Sequence, residues 1–218
     1  MHRRRRRTAL ALSAALVAAA PLLAACGNEA HPGAAAVVGG DRIEVSALQA
    51  EVKDVRAAQE ASPEAAQLIK NTGQLNRAKL HGMIFDRILE HAAEKHGVTV
   101  SRKEVQDARV AAARQSGGEE QLAAMLLQQR GVAPDQIDQA VREEVLLTGL
   151  ARALGADLGT PQGQQEVGAA LTAASKELDI DVNPRYGQWD DAKIQLGDYK
   201  APWITQVTKQ PEAVQAGA

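Results

Sequence analysis

The chain has 218 residues, 25 basic and 27 acidic, a formal charge of −2, 2% aromatic residues and a single cysteine. One cysteine excludes an intrachain disulfide, and the lack of a basic excess argues against nucleic acid or an anionic membrane surface as ligand. Few aromatics beside much alanine, leucine, glutamine and charge is the composition of packed helices, not of a sandwich or barrel, and the length suits one domain.

Met1–Arg7 carries five consecutive arginines, and Thr8–Leu23 is an Ala/Leu/Val run interrupted by Pro21. That run is too short and too alanine-rich to span a bilayer, so residues 1–25 are expected to be a cleavable signal peptide. Leu23-Ala24-Ala25-Cys26 resembles the lipobox of bacterial lipoproteins. The resemblance implies that Cys26 takes a diacylglycerol, becomes the mature N-terminus and holds the protein on the extracytoplasmic face of the cell membrane. The alternative is an ordinary signal peptide followed by a chance cysteine. Without the signal the formal charge falls to −7. Residues 26–35, small and proline-bearing, are expected to form a flexible tether.

Residues 36–208 are expected to form one mainly α domain closed by a small β element, with 209–218 a disordered tail. Ala36 to Ile43 reads as one short strand and its turn. Ser46-Ala47-Leu48-Gln49 fits a capping box that opens a helix to about Gln59. A short helix is predicted over Glu64–Lys70, broken at Asn71-Thr72-Gly73. Leu75–Lys95 is the best periodic segment, with Leu80, Ile84 and Ile88 at i, i+4, i+8, Met83 beside them and Gly97 as the stop. Ser101-Arg102-Lys103-Glu104 is a second capping box, opening a helix to about Gln115, and Glu119–Arg130 follows as another. Pro134 opens a helix with Ile137, Val141 and Val145 on one line and Leu146, Leu150 and Leu154 on the next. Thr160-Pro161 starts a further helix to about Leu178, weakened by Gly163 and Gly168. Ile180-Asp181-Val182 alternates like a strand and is expected to pair with the strand near Val37 and Val38. Asn183 to Trp189 reads as a turn, and order is expected to fade by about Thr208.

The order of several segments carries a likeness. Ala36-Val37-Val38-Gly39 with Ile43 and Leu48, Ile84-x-x-x-Ile88-Leu89 ending in His96-Gly97-Val98-Thr99-Val100-Ser101, Glu104-Val105, and Arg130-Gly131-Val132 leading to Ile137-x-x-x-Val141-Arg142-x-x-Val145 resemble the N-terminal domain of SurA-like and PrsA-like exported folding factors. Val182-Asn183-Pro184-Arg185-Tyr186-Gly187-x-Trp189 resembles the segment that ends the split core domain of that family. Members that isomerise prolyl bonds insert a parvulin domain before that segment, whereas only Gly155–Asp179 stands there, and no parvulin-like histidine and cysteine pairing is found. The resemblance therefore implies a chaperone module without the isomerase, holding unfolded or nascent exported polypeptides.

A binder of many unrelated clients needs shallow, adaptable apolar surface. Met125, Leu126, Leu127, Leu146, Leu147 and Leu150 offer more apolar width than one packed stripe requires and are the expected client-binding residues, although each also fits a helical core. His81, His91 and His96 share one helix at spacings that do not align as metal ligands, and read as surface histidines. Glu143-Glu144 and Asp190-Asp191 are adjacent carboxylates that point different ways and cannot serve as an acid and base pair. No nucleophile elbow, P-loop or dinucleotide fingerprint is present, so no catalysis, cofactor or metal is expected. The rival reading is an adaptor or structural lipoprotein that grips one dedicated folded partner.

Overall fold

The computed structural model describes residues 32–199, and apart from Pro32 these fall in one compact unit. Cys26, the signal peptide, most of the expected tether, the segment from 200 to 208 and the tail lie outside the described residues.

The apolar periodicities set the helices. Seven α-helices are described: α1 (Val45–Glu60), α2 (Ala65–Asn71), α3 (Leu75–Lys95), α4 (Arg102–Ser116), α5 (Glu119–Arg130), α6 (Ile137–Leu154) and α7 (Pro161–Glu177). In α3 the predicted line of Leu80, Ile84 and Ile88 is fully buried, and Leu89, Ala92 and Ala93 widen it. The helix stops where Gly97 takes φ 69° and the Val98 N–H donates to the Ala93 carbonyl at 2.8 Å, which satisfies a carbonyl the ladder would leave open. The predicted box at Ser101 is formed: its hydroxyl accepts from the Glu104 N–H at 3.2 Å and the Glu104 carboxylate accepts from the Ser101 N–H at 2.7 Å.

The box predicted at Ser46 is not formed. The helix begins two residues earlier, Glu44 occupies the cap without a side-chain bond, and the Val45 N–H donates to the Gly33 carbonyl at 2.7 Å. The carbonyl of Gly33, just before β1, thus serves an N–H at the start of the helix in place of a side-chain cap. Pro134 opens a 3₁₀ turn, Pro134–Gln136, and α6 proper starts at Ile137.

The first predicted strand is a hairpin of two, β1 (Ala34–Val38) and β2 (Asp41–Glu44), turning through Gly39 and Gly40 at φ 61° and 85°. β1 includes Ala34 and Ala35, which the sequence reading assigned to the tether; both are buried, so small side chains here pack and do not dangle. The predicted joining of the ends is present: β3 (Asp181–Val182) pairs antiparallel with β1, Ala36 opposite Val182 and Val37 opposite Asp181, giving the order β2-β1-β3. Where a turn was read, Trp189 lies in β4 (Gln188–Asp190), which pairs with β5 (Gln195–Gly197) as a second hairpin.

Three clusters fill the interior. The largest joins β1, β2, α1, α3, the C-terminal half of α6, α7, Val182, Trp189 and Leu196. A second joins α4, α5 and the N-terminal half of α6. The third, Val55, Leu68, Leu75, Leu127 and Ala133, ties α1 and α2 to α5. No described helix is long and apolar enough to cross a membrane.

Candidate functional site

The three clusters decide what the six expected client-binding residues do. Leu126 belongs to the second cluster, Leu127 to the third, and Leu146 and Leu150 to the first, all buried. The apolar face of α6 is broad because its two halves serve different clusters, and that of α5 because it is clamped between two. These four leucines therefore face the interior and offer no surface in this conformation. Met125 and Leu147 are half-buried and pack against the second and first clusters. The exposed large apolar side chains among the described residues are Ile69, Val110 and Tyr199, singly placed.

The histidines do different things. His96 is exposed, but His81 is half-buried: its Nε2 lies 3.1 Å from the Ile194 carbonyl and its ring 5.6 Å from that of Trp189, so it braces the β4–β5 hairpin against α3. His91 Nε2 stands 3.0 Å from Glu177 Oε2, a carboxylate that also accepts from Lys95, and so helps bind α3 to α7. Among the described residues no three of His, Cys, Asp or Glu converge as a metal site.

The concave surface is elsewhere. With one side of α3 committed to the core, its flank carrying Lys79, Gly82, Met83, Asp86 and Glu90 faces a gap between α1 and α6. This gap is a groove of about 560 Å³, lined by the apolar Ala78, Met83, Val132 and Ala140 and by charged side chains. Gly82 keeps it open, since a Cβ there would meet nothing within 4 Å. Gln136 stitches its walls: its carbonyl oxygen accepts from Lys79 Nζ at 2.6 Å and from the Ala133 N–H at 3.2 Å, and its amide donates to the Glu51 carbonyl at 3.1 Å. A second hollow, of about 590 Å³, adjoins it through Arg87 and Glu90 and runs on past His91 and Glu94 to Glu177.

Partial burial shapes the groove's electrostatics. Removal from water, then the neighbouring Glu143, pushes the Asp86 carboxyl up to about 6, against a hydrogen bond from Gln139 at 3.2 Å. Burial also raises Glu51 and Glu143 and lowers the Lys79 ammonium, the last against the attraction of Glu51. Glu143 receives Arg130 at 3.4 Å and Glu90 receives Arg142, whereas Glu51, Asp54, Asp86 and Asp135 make no salt bridge among the described residues. An apolar lining between carboxylate edges makes this trough a candidate binding surface. Sequence reasoning missed it. The one local signal was Gly82, a poor helix former in the middle of the most regular helix, where an open surface explains it better than propensity does.

No curated protein and no solved structure matches the chain. The SurA-like N-terminal domain family matches residues 1–151, which takes in β1 through most of α6 and both long walls of the groove. By that match the chain belongs to the SurA-like N-terminal domain family.

Proposed function

We propose that this protein is a membrane-anchored, extracytoplasmic chaperone-like lipoprotein that binds unfolded or nascent exported polypeptides and does not isomerise prolyl bonds. The observation that carries the reading is membership of the SurA-like N-terminal domain family over 1–151, which suggests a chaperone-like role. The lipobox-like Leu23 to Cys26 supports the anchor, and the open groove along α3 supports a binding role. Met125 and Leu147, which keep part of their surface, remain the apolar contacts of this reading, joined by the apolar lining of the groove.

The first test uses residues 27–218, which retain the compact unit and its core. Light scattering should show suppressed aggregation of several unrelated denatured proteins at near-equal molar ratios, with no acceleration of cis/trans exchange in a proline peptide. Failure against every client would overturn the chaperone reading and favour an adaptor for one folded partner. The anchor is tested separately: mass spectrometry of the membrane-extracted protein should find a diacylglycerol on an N-terminal Cys26, and Cys26→Ser should release the protein from the membrane fraction.

A further inference from the structure

We infer that the groove along α3 receives an extended polypeptide segment bearing lysine or arginine. This rests on the polypeptide-binding reading and assigns it a site and a class of client segment.

Length comes first. The two hollows adjoin at Arg87 and Glu90 and together run along α3 from Lys79 to Glu94. Those fifteen steps of helix span about 22 Å, the reach of about seven residues of extended chain. The trough therefore fits a strand-like segment rather than a compact ligand.

Charge comes second. Carboxylates lining the trough outnumber lysines and arginines by nine to three. All three cations are engaged, Lys79 with Gln136, Arg130 with Glu143 and Arg87 with Asp41, and Glu90 and Glu177 are met by Arg142 and Lys95, which leaves Glu51, Asp54, Asp86, Glu94 and Asp135 without a salt bridge among the described residues. The unpaired carboxylates are strung along the trough, with Glu51, Asp54 and Asp135 at one end, Asp86 between and Glu94 at the other, so they suit several spaced cations and not one metal ion. An anionic segment or membrane headgroup would meet a net excess of like charge.

Chemistry comes third. The desolvated Asp86 sits mid-trough with Arg142 near but no salt bridge among the described residues, and an ammonium seated beside it would favour its ionised form. The apolar lining of Met83, Val132 and two alanines accepts the methylene stems and small apolar side chains of a basic segment but not a broad helical face.

The test is fluorescence anisotropy with residues 27–218 and two labelled nine-residue peptides, one alternating lysine with valine and one alternating glutamate with valine. The lysine peptide should bind at least tenfold more tightly, and its affinity should fall steeply with added salt. Gly82→Arg, which puts a side chain into open space and a cation one turn before Asp86, should weaken it at least tenfold. Asp135→Lys, on an exposed position, should weaken it by several-fold, and Gly168→Ala, remote on α7, should leave it unchanged. Equal binding of both peptides, or lysine-peptide binding untouched by Gly82→Arg and Asp135→Lys, would overturn the groove as the site. Should the lysine peptide fail to bind while aggregation of denatured clients is still suppressed, this inference falls and the chaperone reading stands; failure of both assays removes both.

Discussion

Asp86 shows how a binding surface draws on stability. Its carboxyl is pushed from an ordinary 3.8 to about 6, first by burial and then by Glu143 and Glu90, with Gln139 and Arg142 opposing and Lys79 about two turns away on its own helix. The folded state thus holds a proton more tightly than the unfolded chain, so the advantage of the protonated form is complete below about pH 4 and is lost as pH rises through about 6. Asp86→Asn removes that loss and can still accept from Gln139. Urea melts should show the variant and the parent alike near pH 4, with the variant more stable by about 1–3 kcal/mol at pH 7.5. A difference that stays flat across this range would mean that the carboxylate is not desolvated. Stability lost at a site that later recovers it from a ligand is common in binding proteins, and the lysine peptide should narrow the gap at neutral pH by stabilising the parent alone.

Among the elements, two pairs of look-alike residues separate what pattern can predict from what packing decides. Ser46 and Ser101 both open S-x-x-E/Q patterns, yet only Ser101 caps its helix. Ser101→Ala should cost about 1 kcal/mol and Ser46→Ala a few tenths or less, measured by chemical denaturation. Gly163 and Gly168 were both read as weaknesses of α7. A Cβ on Gly168 meets open space, so Gly168→Ala should stabilise by about 0.5–1 kcal/mol. A Cβ on Gly163 would stand 2.1 Å from the Asp157 carbonyl oxygen, so Gly163→Ala should destabilise despite alanine's better propensity, by about 2 kcal/mol or more in the same melts. The helices were legible because a 3.6-residue period survives in Leu80, Ile84 and Ile88 whatever packs against it. The β hairpins were not, because β4 and β5 are three residues each and their turn passes through Ile194 at φ 49°, a conformation a β-branched residue adopts only when its surroundings hold it. Those surroundings are His81 at its carbonyl and the core beneath its side chain, neither of which is near it in sequence. The groove was illegible for a related reason: Glu51, Asp86 and Asp135 are ordinary surface acids until α1, α3 and the turn before α6 bring them together.

For the molecule as a whole, the C-terminal segment is a structural part of a core that the N-terminal strands and helices begin. β1 needs β3 on one side, where Asn183 donates to the Ala35 carbonyl at 3.0 Å, and the Gly39 N–H reaches the Leu178 carbonyl at 2.6 Å. Trp189 buries its ring in the main cluster and donates from Nε1 to Ser175 Oγ at 2.8 Å; that hydroxyl, itself fully buried, donates to Asp191 at 2.5 Å. Ending the chain after Asp179 removes Val182, Trp189 and Leu196 from one cluster and strips a partner from Ser175. Loss of a buried tryptophan alone costs about 3–5 kcal/mol, a large share of the roughly 5–15 kcal/mol that holds a domain together. The second cluster draws nothing from that segment, so α4, α5 and the first half of α6 keep their own packing. The truncated protein should therefore retain much of its far-ultraviolet helical signal while its thermal transition broadens and its main-cluster amides lose hydrogen-exchange protection before those of α4 and α5. A synthetic peptide spanning 180–199, added in excess, should restore a sharp transition, because the segment contributes contacts and not chain direction. A sharp, unshifted transition in the truncated protein would show instead that the family's helical module is complete without its closing strands.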